Sequence, residues 1–127
     1  MKKIAFPTDD GETISRHLAE AQFYMIAIVD EAGNLTFEKR QKPHYPHDRA
    51  AHSAGSHEDH AQWVPVMFTP ILDCQVLISG SMGQPASDHA LANGLEVILP
   101  AQENITDALD AYRDGRLVSD MRRIHRH

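Results

Sequence analysis

Apolar positions along this chain come in short runs separated by turn formers, and the first runs have the period of strands. Ile4-Ala5-Phe6 is stopped by Pro7 and then by Thr8-Asp9-Asp10-Gly11, a turn signature, which predicts a buried first strand over residues 3–6. Residues 13–21 are polar and read as a loop or short turn that carries His17. Residues 22–29 are apolar on both alternating faces, the pattern of a central strand covered on each side. Asp30-Glu31-Ala32-Gly33-Asn34 supplies a hairpin turn, and Leu35, Phe37 and Lys39 then alternate with Thr36, Glu38 and Arg40. That alternation predicts an edge strand whose charges discourage further pairing. Three strands in an antiparallel meander follow.

The second half changes period. Val64, Met67, Phe68, Ile71 and Leu72 have helical spacing, but Pro65 and Pro70 interrupt it, so a short or broken helix is predicted over residues 58–73. Residues 75–79 form a β-rich buried strand, Gly80-Ser81-Met82-Gly83 the turn after it, and residues 85–93 a helix entered through Pro85 and stopped by Gly94. Residues 95–99 are the last strand, closed by Pro100. A capping-box-like start at Asn104 to Asp107 opens a helix lined by Ile105, Ala108, Leu109 and Tyr112 that ends at Gly115. From Arg116 on, the chain is polar and reads as a frayed helix or tail. Strands alternating with helices imply parallel pairing, so the whole is a mixed five-stranded α/β sheet with helices packed on it. Ligands collect at the carboxyl ends of parallel strands, where three turns should meet: residues 8–11, 80–83 and 100–102.

At 127 residues the chain is the size of one domain, expected to span residues 1–127 without a linker. Its net charge of −6 opposes non-specific contact with phosphate backbones and argues against nucleic acid as a partner; the basic cluster is Arg122, Arg123 and Arg126. No run is long enough for a membrane span, and the opening residues break too early for a signal sequence, so a cytoplasmic home is expected. The single cysteine, Cys74, sits amid Leu72, Val76 and Leu77 and reads as a buried structural thiol, leaving histidine and carboxylate to bind any metal.

Five of the nine histidines, His44, His47, His52, His57 and His60, fall between Pro43 and Trp63, with Asp48, Glu58, Asp59 and a flexible Ser53-Ala54-Gly55-Ser56 centre. The spacing His-x-x-His occurs at 44/47 and again at 57/60, where it would share one helical face. Two or three neutral imidazoles with Asp48 or Asp59 would suit zinc, nickel, copper or iron. The bland alternative is a solvated loop that is merely rich in histidine. His89, His125 and His127 are expected to be exposed.

Ile4 to Gly11, Ile14-Ser15-Arg16-His17, the histidine-bearing loop, Ile78 to Gly83, Gly94-Leu95-Glu96-Val97 and Ala108 to Tyr112 together resemble the dinitrogenase iron-molybdenum cofactor biosynthesis domain over nearly the whole chain. The resemblance implies a ribonuclease-H-like α/β fold and a carrier or scaffold for an iron–sulfur or iron-molybdenum cluster precursor. It implies cofactor-binding roles for Ser15, His17, Gly80, Ser81 and Gly83, and metal-cluster donor and acceptor proteins as partners. Two departures stand out: Leu18-Ala19 replaces the family's aromatic-glycine pair, and Ser79 replaces the first glycine of its Gly-Gly-x-Gly loop.

No Ser/His/Asp signature, phosphate loop or dinucleotide fingerprint is visible, so the expectation is a non-catalytic protein, monomeric or weakly dimeric, with binding that is transferable or shared across a dimer. Two alternatives stay open. One is a metal-dependent hydrolase using Asp9, Asp10 and Asp73; the other is a metal-free interaction module that binds a partner through the strand at 35–40.

Overall fold

The computed structural model describes residues 1–42 and 66–119 and the backbone of 124–125. In chain order the elements are β1 (Lys2–Thr8), a 3-10 turn (Leu18–Glu20), β2 (Phe23–Val29), β3 (Leu35–Gln41), a second 3-10 turn (Thr69–Ile71), β4 (Val76–Ile78), β5 (Met82–Gly83), α1 (Gln84–Ala92), β6 (Glu96–Ile98), α2 (Ile105–Arg113) and β7 (Ile124–His125). Five strands form one sheet in the order β3-β2-β1-β4-β6. The pairs β1–β2 and β2–β3 are antiparallel, while β4 is parallel to both β1 and β6. The mixed sheet read from the sequence is therefore present, meander first and parallel strands after.

β1 lies at the centre because it can be buried on both faces. Ile4, Ala5 and Phe6 are fully buried, and their side chains alternate between two separate apolar layers. On one face Ala5, Tyr24, Ile26 and Leu77 pack with Met67, Phe68, Ile71 and Ala86 and Ala90 of α1. On the other, Ile4, Phe6, Ala27, Val76 and Ile78 pack with Ile14 and with Ile105, Ala108 and Leu109 of α2. One helix thus covers each face. Pro7 does not stop β1, which continues to Thr8; proline removes only a donor, and the Pro7 carbonyl still accepts from Ser15 N–H at 2.8 Å.

β3 is an outer strand with mostly exposed residues, and its polar side chains brace the layer beneath. Arg40 reaches Asp73 at 2.5 and 3.1 Å and the Pro70 carbonyl at 2.9 Å, and Lys3 reaches the same Asp73 carboxylate at 2.7 Å. Arg40 and Lys3 hold that carboxyl well below the usual carboxylate range. Residues 66–71 give one helical turn and then the second 3-10 turn with Pro70 near its start, which matches the broken helix read from the prolines; the earlier part of that stretch lies outside the described residues.

α1 ends where Gly94 takes φ +80, which lets Leu95 N–H return to the Ala90 carbonyl at 3.0 Å. α2 begins at Asn104, but its side chain does not cap the helix: it donates to Asp107 at 3.3 Å, and the Ile105 amide is satisfied instead by the Glu12 carbonyl at 2.8 Å. The stretch after Arg116 differs most from its reading as a frayed helix or tail. Ser119 Oγ accepts from Leu99 N–H at 2.9 Å, and β7 pairs in parallel with β5. His89, expected to be exposed, is half-buried with its ring 5.2 Å from that of Phe68.

Candidate functional site

The loop that leaves β1 is shaped by its own polar side chains. Asp10 Oδ1 accepts from the amides of Glu12 and Thr13, each at 2.8 Å, and Thr13 Oγ1 donates to both carboxylate oxygens at 3.0 Å. These donors, the Thr13 amide foremost, draw the Asp10 carboxyl down to about 2. Thr8 Oγ1 accepts from Gly11 N–H at 2.9 Å, and Asp9 Oδ1 accepts from Gln22 N–H at 3.0 Å. An Asp-Asp-Gly turn closes on itself in this way because short carboxylates reach backbone amides two or three residues on.

Beyond that turn, residues 12–18 are held from three directions. Ser15 N–H donates to the Pro7 carbonyl of β1, and Ile14 N–H donates to Glu103 O at 2.7 Å, beside a β-bridge between Thr13 and Asn104. From the β4 side, Gly80 N–H donates to Ser15 O at 3.0 Å, Leu18 N–H donates to Ser81 O at 3.4 Å, and Ser81 Oγ donates to Arg16 O. Ser15 Oγ donates to His17 O at 3.0 Å and accepts from His17 N–H at 3.3 Å. Leu18 is buried while His17 is exposed. The imidazole therefore stands on a short loop fixed at Ser15 on one side and Leu18 on the other.

Gly80 is required by this arrangement. A Cβ there would meet Ser15 O at 2.6 Å and Arg16 Cα at 2.8 Å, far inside normal contact. Ser79 is fully buried and donates to Ser81 O at 3.1 Å, so its hydroxyl serves the turn itself.

The three turns at the strand ends do meet. They enclose a cleft of about 570 Å³ lined by Asp9, Thr13, Ile14, Ser15, Arg16, His17, Gly80, Ser81, Gln102 and Glu103. Four of the five residues expected at a cofactor site, Ser15, His17, Gly80 and Ser81, line it. Gly83 does not; it caps the start of α1 and pairs with β7. The Gly80 amide is committed to Ser15 O at 3.0 Å. Gln102 belongs to one of the three turns expected at this edge, whereas Thr13, Arg16 and Glu103 were not singled out as site residues in the sequence. The Ile14–Glu103 backbone bond, which joins residues 89 apart in chain order, brings these segments together at the cleft. Arg16 and Glu103 approach only to 3.9 Å while largely exposed, a contact worth little.

Chemically the cleft offers one imidazole, two serine hydroxyls, a guanidinium and two carboxylates. The carboxylates proposed for a hydrolase do not gather in it: Asp10 is bound to its own turn, and Asp73 braces Lys3 and Arg40 near the start of β4, about 20 Å from the cleft end of β1 at the rise of a strand. Among the described residues no three His, Cys, Asp or Glu side chains converge as a metal-binding group. Cys74 is buried as expected, and burial pushes its thiol up to about 11. Lys42, immediately after β3, is 2 % exposed; burial lowers its ammonium to about 8 against the opposing charge of Asp9. His44, His47, His52, His57 and His60 lie outside the described residues, as do the carboxylates between them.

Among solved structures, the apo orange protein of Desulfovibrio gigas aligns with a TM-score of 0.62 at 19% identity over 94% of this chain and 93% of its own. A Thermotoga protein reported under the name NifB, of the DUF35 family, aligns with a TM-score of 0.55 at 21% identity over 95% of each chain. A Methanocaldococcus jannaschii protein provisionally named a dinitrogenase gives 0.57 at 11% identity over 93% of each. At these identities the likeness establishes the fold. No curated protein matches the sequence. The sequence model of the dinitrogenase iron-molybdenum cofactor family matches residues 1–115, so nearly all of the described fold, the cleft included, lies within the match, and the chain belongs to that family.

Proposed function

We propose that this protein is a non-catalytic carrier or scaffold that holds an iron–sulfur or iron-molybdenum cluster precursor, or a metal ion, at the strand-end cleft and passes it between donor and acceptor proteins. The observation that carries this reading is the fixed presentation of His17. Its loop is tied to β1, to the segment before α2 and to the turn after β4, so the imidazole is held ready with little ordering left to be done on binding. A single nitrogen ligand beside hydroxyls and a guanidinium gives loose attachment, which suits cargo that must leave again. The histidines at 44, 47, 52, 57 and 60 would add further nitrogen ligands. A ribonuclease-H-like assignment is supported by the strand order, with an antiparallel meander beside two parallel strands. No helix among the described residues is long and apolar enough to cross a membrane.

Anaerobic titration of the apo-protein with ferrous iron and sulfide, and separately with zinc and nickel, tests the reading by elemental stoichiometry and absorption. Stoichiometric loading that falls at least tenfold in His17→Ala is expected. Loading unchanged by that substitution would remove the cleft from the account, and no loading above background would leave the metal-free interaction module through β3 as the better one.

A further inference from the structure

Two of the segments that line the cleft carry opposite charges on fixed roots. Arg16 is locked at its backbone: its carbonyl accepts from Ser81 Oγ, and its Cα lies so near Gly80 that a methyl there would meet it at 2.8 Å. Glu103 is locked through its own carbonyl, which accepts from Ile14 N–H at 2.7 Å beside the Thr13–Asn104 bridge. Their side chains are not held in this way. They are 86% and 80% exposed, and the guanidinium and carboxylate stop 3.9 Å apart. Among the described residues that line the cleft, Arg16 carries the permanent positive charge, and Asp9 and Glu103 are the carboxylates. Asp9 is already answered, since it accepts from Gln22 N–H at 3.0 Å and feels the positive charge of the buried Lys42. Glu103 is answered by Arg16, and only loosely.

We propose that Arg16 reads the charge of the cargo and that Glu103 is its internal competitor: an anionic metal–sulfur species takes the guanidinium from Glu103 on binding, and Glu103 recovers it on release. This rests on the carrier reading and adds to it the charge class of the cargo and the pair of residues that sets how firmly it is held. Sulfide ligands outweigh the charge of the metal they cap, so such a species is an anion, whereas the guanidinium repels a bare divalent ion. An anion approaching a chain of net charge −6 is repelled at long range, so retention requires local positive charge. The planar fork of donors on arginine suits an anion that offers more than one acceptor atom. An exposed ion pair at this separation is too weak to brace the fold, and for the same reason its partners exchange readily. Attraction between the guanidinium and the cargo weakens with added salt.

The test compares five full-length chains under anaerobic conditions: the parent, Arg16→Gln, Arg16→Lys, Glu103→Gln, and Arg16→Gln combined with Glu103→Gln. Each is titrated with ferrous iron plus sulfide and, separately, with zinc alone, at low and high salt. Both side chains are largely exposed, so every variant should unfold at the parent's urea midpoint. Arg16→Gln should lose iron–sulfide retention by about tenfold and show a smaller salt dependence, while Arg16→Lys, which keeps the charge, should recover most of the loss. Glu103→Gln should gain about twofold to fivefold, the worth of an exposed ion pair, and that gain should vanish when Arg16 is also replaced. Zinc affinity should not fall in Arg16→Gln. Retention by Arg16→Gln equal to the parent's would overturn the role of Arg16 and leave the carrier reading standing. A Glu103→Gln gain of the same size with and without Arg16 would mean general repulsion and overturn the competition. Zinc lost in step with iron–sulfide would overturn the charge preference. If the parent itself retains nothing, the carrier reading falls and this proposal with it.

Discussion

Gly80→Ala is the most searching single substitution for the architecture of the cleft. The added methyl would lie 2.6 Å from Ser15 O and 2.8 Å from Arg16 Cα, and both are backbone atoms that no rotamer change can move. Restoring ordinary contact requires the His17 loop to retreat by about 1 Å. That loop is bonded to Pro7 O and Glu103 on its far side, so the retreat is resisted there and breaks the near-side bonds, Gly80 N–H to Ser15 O and Ser81 Oγ to Arg16 O. Overpacking costs about 1–3 kcal/mol, and each lost bond about 1 kcal/mol. Against this stands a gain of about 0.4–1 kcal/mol from a stiffer unfolded chain. The net loss is about 2–4 kcal/mol, readable in urea unfolding followed by circular dichroism as a midpoint lowered by about 1–2 M. Gly83→Ala is the control: its methyl would meet nothing nearer than Pro85 Cδ at 3.7 Å, and a change within about 1 kcal/mol is expected. A Gly80→Ala protein within about 0.5 kcal/mol of the parent would refute the close approach and, with it, the fixed loop on which the proposed site depends.

Other consequences are open to measurement. Burial of Lys42 lowers its ammonium to about 8, so the unfolded chain binds the extra proton between that value and 10.5; stability should rise with pH across this window, by up to about 3 kcal/mol, and a Lys42→Met protein should lack the rise in urea titrations run at successive pH values. Asp73→Asn should cost about 1 kcal/mol at pH 7, since the carboxylate is half exposed. The depressed carboxyl contributes fully above its ordinary value of 3.8 and progressively less below it, so the difference between parent and variant should shrink as the pH falls from there. Cys74 should react slowly with a thiol reagent at pH 8 in the native protein and rapidly once it is unfolded, because burial both shields the thiol and keeps it protonated. Ser87→Ala should be neutral or stabilising by about 1 kcal/mol in thermal melts, since the buried hydroxyl has no hydrogen-bond partner among the described residues.

Which parts of this fold were legible in the sequence follows from where hydrophobic period decides structure. β2 and β3 could be read almost to the residue because one is apolar on both faces and the other alternates, and the buried face of α2 was visible in the spacing of Ile105, Ala108 and Leu109. β7 was invisible: two residues inside Arg-Arg-Ile-His-Arg-His carry no period, and only the partner strand β5, itself two residues long, makes them a strand. At the cleft, Ser15, His17, Gly80 and Ser81 were found because their residue types resemble a family pattern. Gln102 was reached through the turn expected at 100–102, but Arg16 and Glu103 were not, since backbone hydrogen bonds between distant segments bring them in and leave no mark on composition. The two glycines of the turn also looked alike in sequence, yet Gly80 admits a closely approaching backbone while Gly83 opens a helix and has room for a methyl.

The central claim is that cargo sits in the strand-end cleft against His17, and amide-resolved NMR during anaerobic loading with ferrous iron and sulfide tests it most directly. A bound iron species broadens the amides nearest to it, so the account predicts the strongest losses at residues 9–17, 80–83 and 102–103, abolished in His17→Ala. Broadening confined to residues 44–60, with the cleft amides unchanged, would contradict it.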